Sequence, residues 1–176
     1  MPVVAADAEN PLLTESTLPF GYPRFDLVQD AHFLPAFAQG MAENLREVAA
    51  IADNPASATF DNTVVALERA GRLLSRVNGL FSNLNGTLTN PERQKIQRDI
   101  APKLSAHSDA IRLNPALFAR IAALYDARAT LGLDAESQRL LWRYHQDFVR
   151  AARSSPRPTR QSSARSMPTS QRCRPR

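Results

Sequence analysis

Residues 59–84 read TFDNTVVALERAGRLLSRVNGLFSNL. In this stretch Phe60, Val64, Leu67, Gly71, Leu74, Val77, Phe81 and Leu84 recur every three or four positions, the spacing that stacks side chains along one face of an α-helix. The Thr59 hydroxyl in front of them can accept from the free amides of a first turn, and Asp61 sets a negative charge against the positive end of the helix dipole. The pattern predicts one long helix opening at Thr59. Gly71 interrupts the stripe at about 1 kcal/mol relative to Ala, which leaves two readings: another helix passing close, or drift at a tolerant position.

The same period continues on both sides. Upstream, Leu34, Phe37, Met41, Leu45, Val48 and Ile51 mark a helix with Pro35 near its first turn and Asp53-Asn54-Pro55 as its end. Downstream, Asn90-Pro91-Glu92 is a capping amide, a proline where the missing N–H costs nothing, and an acid near the positive end. It opens a third helix with Ile96, Ile100, Leu104, His107 and Ile111 on one face and an expected kink at Pro102. Asn114-Pro115 repeats the start signal for a helix facing inward through Leu117, Phe118, Ile121, Leu124 and Tyr125, with Gly132 as its stop. Asp134 caps a fifth, whose core face is Leu140, Leu141, Tyr144 and Phe148. No segment keeps a strand's alternation for more than four or five residues, so the fold class is all-α, about five amphipathic helices with short connections.

Pro2, Pro11, Pro19, Pro23 and Gly21 make residues 1–29 an irregular leader, residues 30–151 a helical domain, and residues 152–176 a disordered Arg/Ser/Pro tail. A length of 176 residues, 43% apolar and 22% charged, suits one globular domain. One cysteine excludes an internal disulfide framework, and no apolar run reaches the length of a signal peptide or a membrane span. The expectation is a cytoplasmic protein that does not enter a membrane. The formal charge of +5 suggests nucleic acid until it is placed along the chain. From Arg153 to Arg176 there are seven arginines and no acid, so the first 152 residues carry −2. Any nucleic-acid contact would belong to the tail.

Chemistry is sparse in this chain. His32, His107 and His145 are followed by Phe, Ser and Gln, so the His-Glu-x-x-His zinc arrangement is absent. His107, on an apolar face, reads as a hydrogen-bonded core histidine, and His32 and His145 need no special role. Cys173 lies among arginines that could lower its pKa, with no histidine near it in sequence to act as a base. Phosphate-binding glycine loops and the G-x-S-x-G elbow are missing. Glu43 and Glu47, flanking Arg46, read as solvated surface. Trp142, Tyr125, Tyr144 and Phe148 read as core packing. No catalytic, cofactor-binding or metal-ligating residue is assigned.

Four runs occur in order: Asn10-Pro11-Leu12-Leu13, Ala58-Thr59-Phe60-Asp61-Asn62-Thr63, Ala101-Pro102-Lys103-Leu104-Ser105-Ala106-His107 and Tyr144-His145-Gln146-Asp147-Phe148-Val149-Arg150. Together they resemble the N-terminal part of bacterial peptidyl-dipeptidases and oligopeptidase A, the thimet-oligopeptidase-type zinc metallopeptidases, from about residue 10 to 151. Position 58 departs from the pattern, with Ala where the family usually has Pro. The resemblance implies a two-lobed, all-helical enzyme with a deep channel for short peptides, from which the dipeptidase branch removes C-terminal dipeptides. It makes the N-terminal helices a wall of that channel. The family's zinc ligands lie several hundred residues further on, and no position here matches them, so the resemblance does not carry the activity to this chain.

The resemblance ends after Ala151, where composition turns to Arg, Ser and Pro. A one-nucleotide deletion explains both changes at once: the tail can be back-translated so that one restored base gives a charged amphipathic helix similar to the family's. A natural basic tail contacting phosphates is the competing account. The expectations are thus a truncated peptidase region without catalysis of its own, a stand-alone helical module that binds a partner, or a weak nucleic-acid binder through the tail. Truncation would leave apolar helix faces exposed and favour self-association.

Overall fold

The computed structural model describes residues 10–154. The segment from 155 to 176, with Cys173 and the expectations placed on it, lies outside the described residues, as do residues 1–9. The elements are α1 (Phe33–Ala52), a π-helical stretch (Phe60–Val65) running into the short α2 (Ala66–Arg69), α3 (Arg72–Thr87), α4 (Pro91–Arg112), α5 (Pro115–Asp126) and α6 (Ala135–Ser154), with single 3-10 turns at Pro19–Gly21 and Asp30–His32. Among the described residues there is no strand, and the all-α expectation holds.

The start signals work as the sequence suggested. The Asn90 side chain accepts from the Arg93 amide at 2.7 Å, Asn114 accepts from the amides of Ala116 and Leu117, and Asp134 from the Ser137 amide at 2.7 Å. At Thr59 the cap is reciprocal: Thr59 Oγ1 accepts from the Asn62 amide, and Asn62 Oδ1 accepts from the Thr59 amide. α4 runs through Pro102 without interruption.

Three expectations change. The helix anticipated over 59–84 is divided, because Ala70 is extended and Gly71 is left-handed at φ 72°. Of the two readings of Gly71, close approach is the one observed: a Cβ there would sit 2.8–2.9 Å from the Asn44 side chain of α1. The buried face of α1 is rotated from the anticipated stripe. Phe33, Ala36, Phe37, Gly40, Asn44, Val48 and Ile51 are inside while Leu34 and Leu45 are exposed, since Ala36 and Gly40 let α3 come close, with Leu74 of α3 about 3.0 Å from where a Gly40 Cβ would lie. The fourth helix stops at Asp126, six residues before Gly132, where the Arg128 and Thr130 side chains take the carbonyls of Tyr125 and Ala127.

α1 packs on α3, α4 and α5, and α6 closes against α4 and α5. Two apolar clusters result. The first joins Phe33 and Phe37 of α1 to Val77 and Phe81 of α3 and Ile96 and Ile100 of α4, and it takes in Leu12 of the leader. The second joins Val48 and Ile51 of α1 to Val64, Leu117, Ile121, Leu141 and Phe148. Burying side chains of this size contributes roughly 1.5–3 kcal/mol each. No buried residue among those described is common to both clusters; α1, about 30 Å long, gives buried residues to each, and α4 spans them as well, from Ile96 and Ile100 in the first to the partly buried Ile111 in the second.

Candidate functional site

Where the two clusters meet, the packing turns polar. His107 of α4 and Asn44 of α1 are both buried, and His107 Nε2 lies 2.9 Å from Asn44 Oδ1. His107 Nδ1 is buried with no partner, and burial holds the imidazole below the ordinary histidine range. One turn along α1, the Glu47 carboxylate accepts from the Gly71 amide at 2.6 Å. Glu47 is therefore half-buried and caps the start of α3, whereas the sequence suggested plain solvated surface. The expectation of a hydrogen-bonded core histidine at 107 holds.

The other motif residues are fasteners as well. Asn10 donates to the His32 carbonyl and accepts from the Leu12 amide, which seats Leu12 in the first cluster. The Asn54–Thr63 connection is pinned by Arg120 of α5, which donates to the Asn54 and Ala56 carbonyls, to Asn62 Oδ1 and to Thr63 Oγ1 at 2.8–3.3 Å. Tyr144 donates to Glu68 at 2.7 Å, and burial with that carboxylate pushes its hydroxyl well above the usual tyrosine range. His145 stacks on Tyr125 at 4.0 Å, with Arg128 near the Tyr125 ring. Trp142, assigned to the core from its spacing, is instead exposed beneath Arg139, because it sits one position past the buried Leu141.

Sequence reasoning missed Asn44, Arg76 and Arg120. A signal existed for two of them: Asn44 and Arg120 are polar residues inside apolar stripes, between Phe37 and Val48 and between Leu117 and Leu124 respectively.

The leader crosses α3 and encloses a cleft of about 210 Å³, with Leu12, Leu27, Val28, Val77 and Leu80 on its apolar side and Glu15 and Arg76 at one edge. Across Glu15 and Arg76 lies a wider hollow of about 510 Å³ that also touches Arg72 and Glu68. Glu15 Oε1 is 3.6 Å from Arg76 and 3.9 Å from Arg72. At the far end of the leader, Asp30 accepts from Arg93 at 2.7 Å and from the Asn90 side-chain Nδ2 at 2.7 Å, and Arg93 also donates to the Leu88 carbonyl.

Among the described residues no three His, Cys, Asp or Glu side chains converge closely enough to hold a metal ion. His32 accepts from the Gln29 amide, His107 faces Asn44 and His145 is stacked on Tyr125. These residues do not fit the zinc that the resemblance implies. No helix among them is long and apolar enough to cross a membrane.

No protein-family model matches the chain. It is 46% identical over 142 residues to dipeptidyl carboxypeptidase of Salmonella typhimurium and 44% identical over 142 residues to that of Escherichia coli, in each case over 81% of this chain and 21% of the relative. Oligopeptidase A of Salmonella typhimurium is 27% identical over 109 residues, which is 62% of this chain and 15% of that protein. The chain thus spans about a fifth of the length of the dipeptidyl carboxypeptidases it matches. By this identity the chain matches an N-terminal fragment of the dipeptidyl carboxypeptidase family, with weaker similarity to oligopeptidase A.

Proposed function

We propose that the chain supplies the helical wall of a dipeptidyl-carboxypeptidase-type enzyme that acts on short peptides in the cytoplasm, and that it holds no catalytic or metal-ligating residue of its own. The observation that carries this reading is 46% identity over 142 residues combined with the use of the motif side chains as fasteners, in caps, a buried amide–imidazole contact and ring stacks. Such groups set the positions of helices and present no nucleophile–base pair. The working unit in this reading is residues 30–151 with the leader bound across it, and the Arg/Ser/Pro tail is the product of a frameshift.

Purified chain, incubated with a short peptide bearing a free C-terminus, with and without added zinc, is expected to give no hydrolysis and to bind no stoichiometric zinc. Hydrolysis that follows bound zinc overturns the reading. The frameshift is checked in the gene: the codons after Arg150, shifted by one base, should continue an amphipathic helix and lead to His-Glu-x-x-His codons. One observation favours a second reading, a stand-alone partner-binding module. Leu18, Phe20, Tyr22, Phe25 and Leu27 of the leader are all exposed, Phe20 completely, and apolar clusters of this kind mark contact surfaces.

A further inference from the structure

We propose that Arg76 and the cleft beneath the leader form a binding site for a small carboxylate carrying a compact, branched apolar group. The Arg76 side chain is about two-thirds covered, with 31% of it exposed, yet no partner holds its guanidinium closely. Nη2 reaches the Leu12 and Leu13 carbonyls only at 3.5 and 3.3 Å, Nη1 faces Glu15 at 3.6 Å, and Nε is buried with no acceptor. Among the described residues the other half-covered arginines are well satisfied: Arg93 meets Asp30 at 2.7 Å, and Arg120 has four acceptors. A covered cation whose nearest anion is distant is costly, and among the described residues Arg76, with Glu15 no closer than 3.6 Å, is such a cation.

The cleft beside it states what the anion should be attached to. Its 210 Å³ is several times a water's share of the liquid, and one side is Leu12, Leu27, Val28, Val77 and Leu80. A carboxylate matches the planar guanidinium fork, and a branched alkyl group matches the apolar side. Glu15, 71% exposed and shared at long range with the exposed Arg72, acts as an internal competitor that the ligand's carboxylate replaces. The carboxylate could come from a free branched acid or from the end of a peptide chain. The inference is independent of the peptidase reading, because its test uses this chain alone.

The test is a titration of the isotope-labelled full chain, followed by amide and guanidinium NMR, with 4-methylpentanoate, its neutral amide, and N-acetyl-leucine. Saturable shifts are expected at Arg76 Nε–H and at the Leu12 and Leu80 amides with the acid, and none with the amide. Glu15→Gln should tighten binding about two- to fivefold, the range by which an exposed ion pair competes, and Arg76→Met should abolish it. Should Arg76→Met fail to fold, the acid–amide pair and Glu15→Gln decide. N-acetyl-leucine binding as well as the free acid assigns the site to chain ends, and weaker binding assigns it to free acids; either supports the site. Equal binding of acid and amide, no saturable shift with the acid, or no gain from Glu15→Gln overturns the proposal.

Discussion

Replacing Gly71 with Ala tests the joint between the two clusters. The residue is left-handed at φ 72°, and a Cβ would lie 2.8 Å from Asn44 Nδ2 and 2.9 Å from its Cγ. Holding an L-residue in that conformation costs about 1–2 kcal/mol. The added carbon must also push Asn44 aside, which strips His107 Nε2 of its buried partner when Nδ1 already has none, a further penalty of about 1–3 kcal/mol. Allowing for partial relaxation, Gly71→Ala should destabilise the chain by about 2–4 kcal/mol, a large fraction of the roughly 5–15 kcal/mol that a domain possesses. Gly79→Ala is the control: it lies inside α3 with nothing within 4 Å of the Cβ, and should stabilise by about 1 kcal/mol through helix propensity. Urea unfolding of the three proteins, followed by far-ultraviolet circular dichroism, reads both effects. If Gly71→Ala unfolds within about 0.5 kcal/mol of the parent, or if the two substitutions act in the same direction, the account of the joint is wrong.

Arg120→Met keeps the aliphatic stem but removes four hydrogen bonds to the Asn54–Thr63 connection. A loss of about 2–4 kcal/mol is expected in the same urea assay, together with faster amide exchange over residues 54–63. Because His107 is held below its ordinary value by burial, the unfolded chain takes up that proton first as the medium is acidified. His107's contribution is therefore complete above about pH 6.5 and is lost as pH falls from there to the lowered folded value. Urea midpoints taken across that window should fall less steeply in His107→Gln than in the parent, and equal slopes would contradict the assignment. The exposed apolar leader tip, Phe20 above all, should drive self-association, since a few hundred Å² of apolar contact at about 25 cal/mol per Å² supplies several kcal/mol. Light scattering should show mass rising with concentration, and a clean monomer throughout is the contrary result.

Much of the frame was legible because it follows from local rules. Asn90, Asn114 and Asp134 each announce a helix through an oxygen placed to take the first free amides, and the structure uses all three. Features decided by distant partners were not legible. Nothing near position 71 says that Asn44, more than twenty residues earlier, will lie against it. The true face of α1 depends on how closely Ala36 and Gly40 admit α3, so a stripe of large residues that included Leu34 and Leu45 pointed about one position astray. Trp142 went wrong for a related reason, since a one-residue step along a helix turns a side chain by about 100°, from the Leu141 side out to Arg139. The candidate site was less legible still, because Arg76 stands out only once the long distances to Leu12, Leu13 and Glu15 can be seen in space.

The sharing of α1 between both apolar clusters has a mechanical corollary. With one rod anchored at each end in a separate knot of side chains, neither knot can loosen without tugging on the other, so heat or denaturant should take the molecule apart in a single step. Under the proposed role as a wall of a peptidase groove, such a piece would hold the groove's width when something presses on either end.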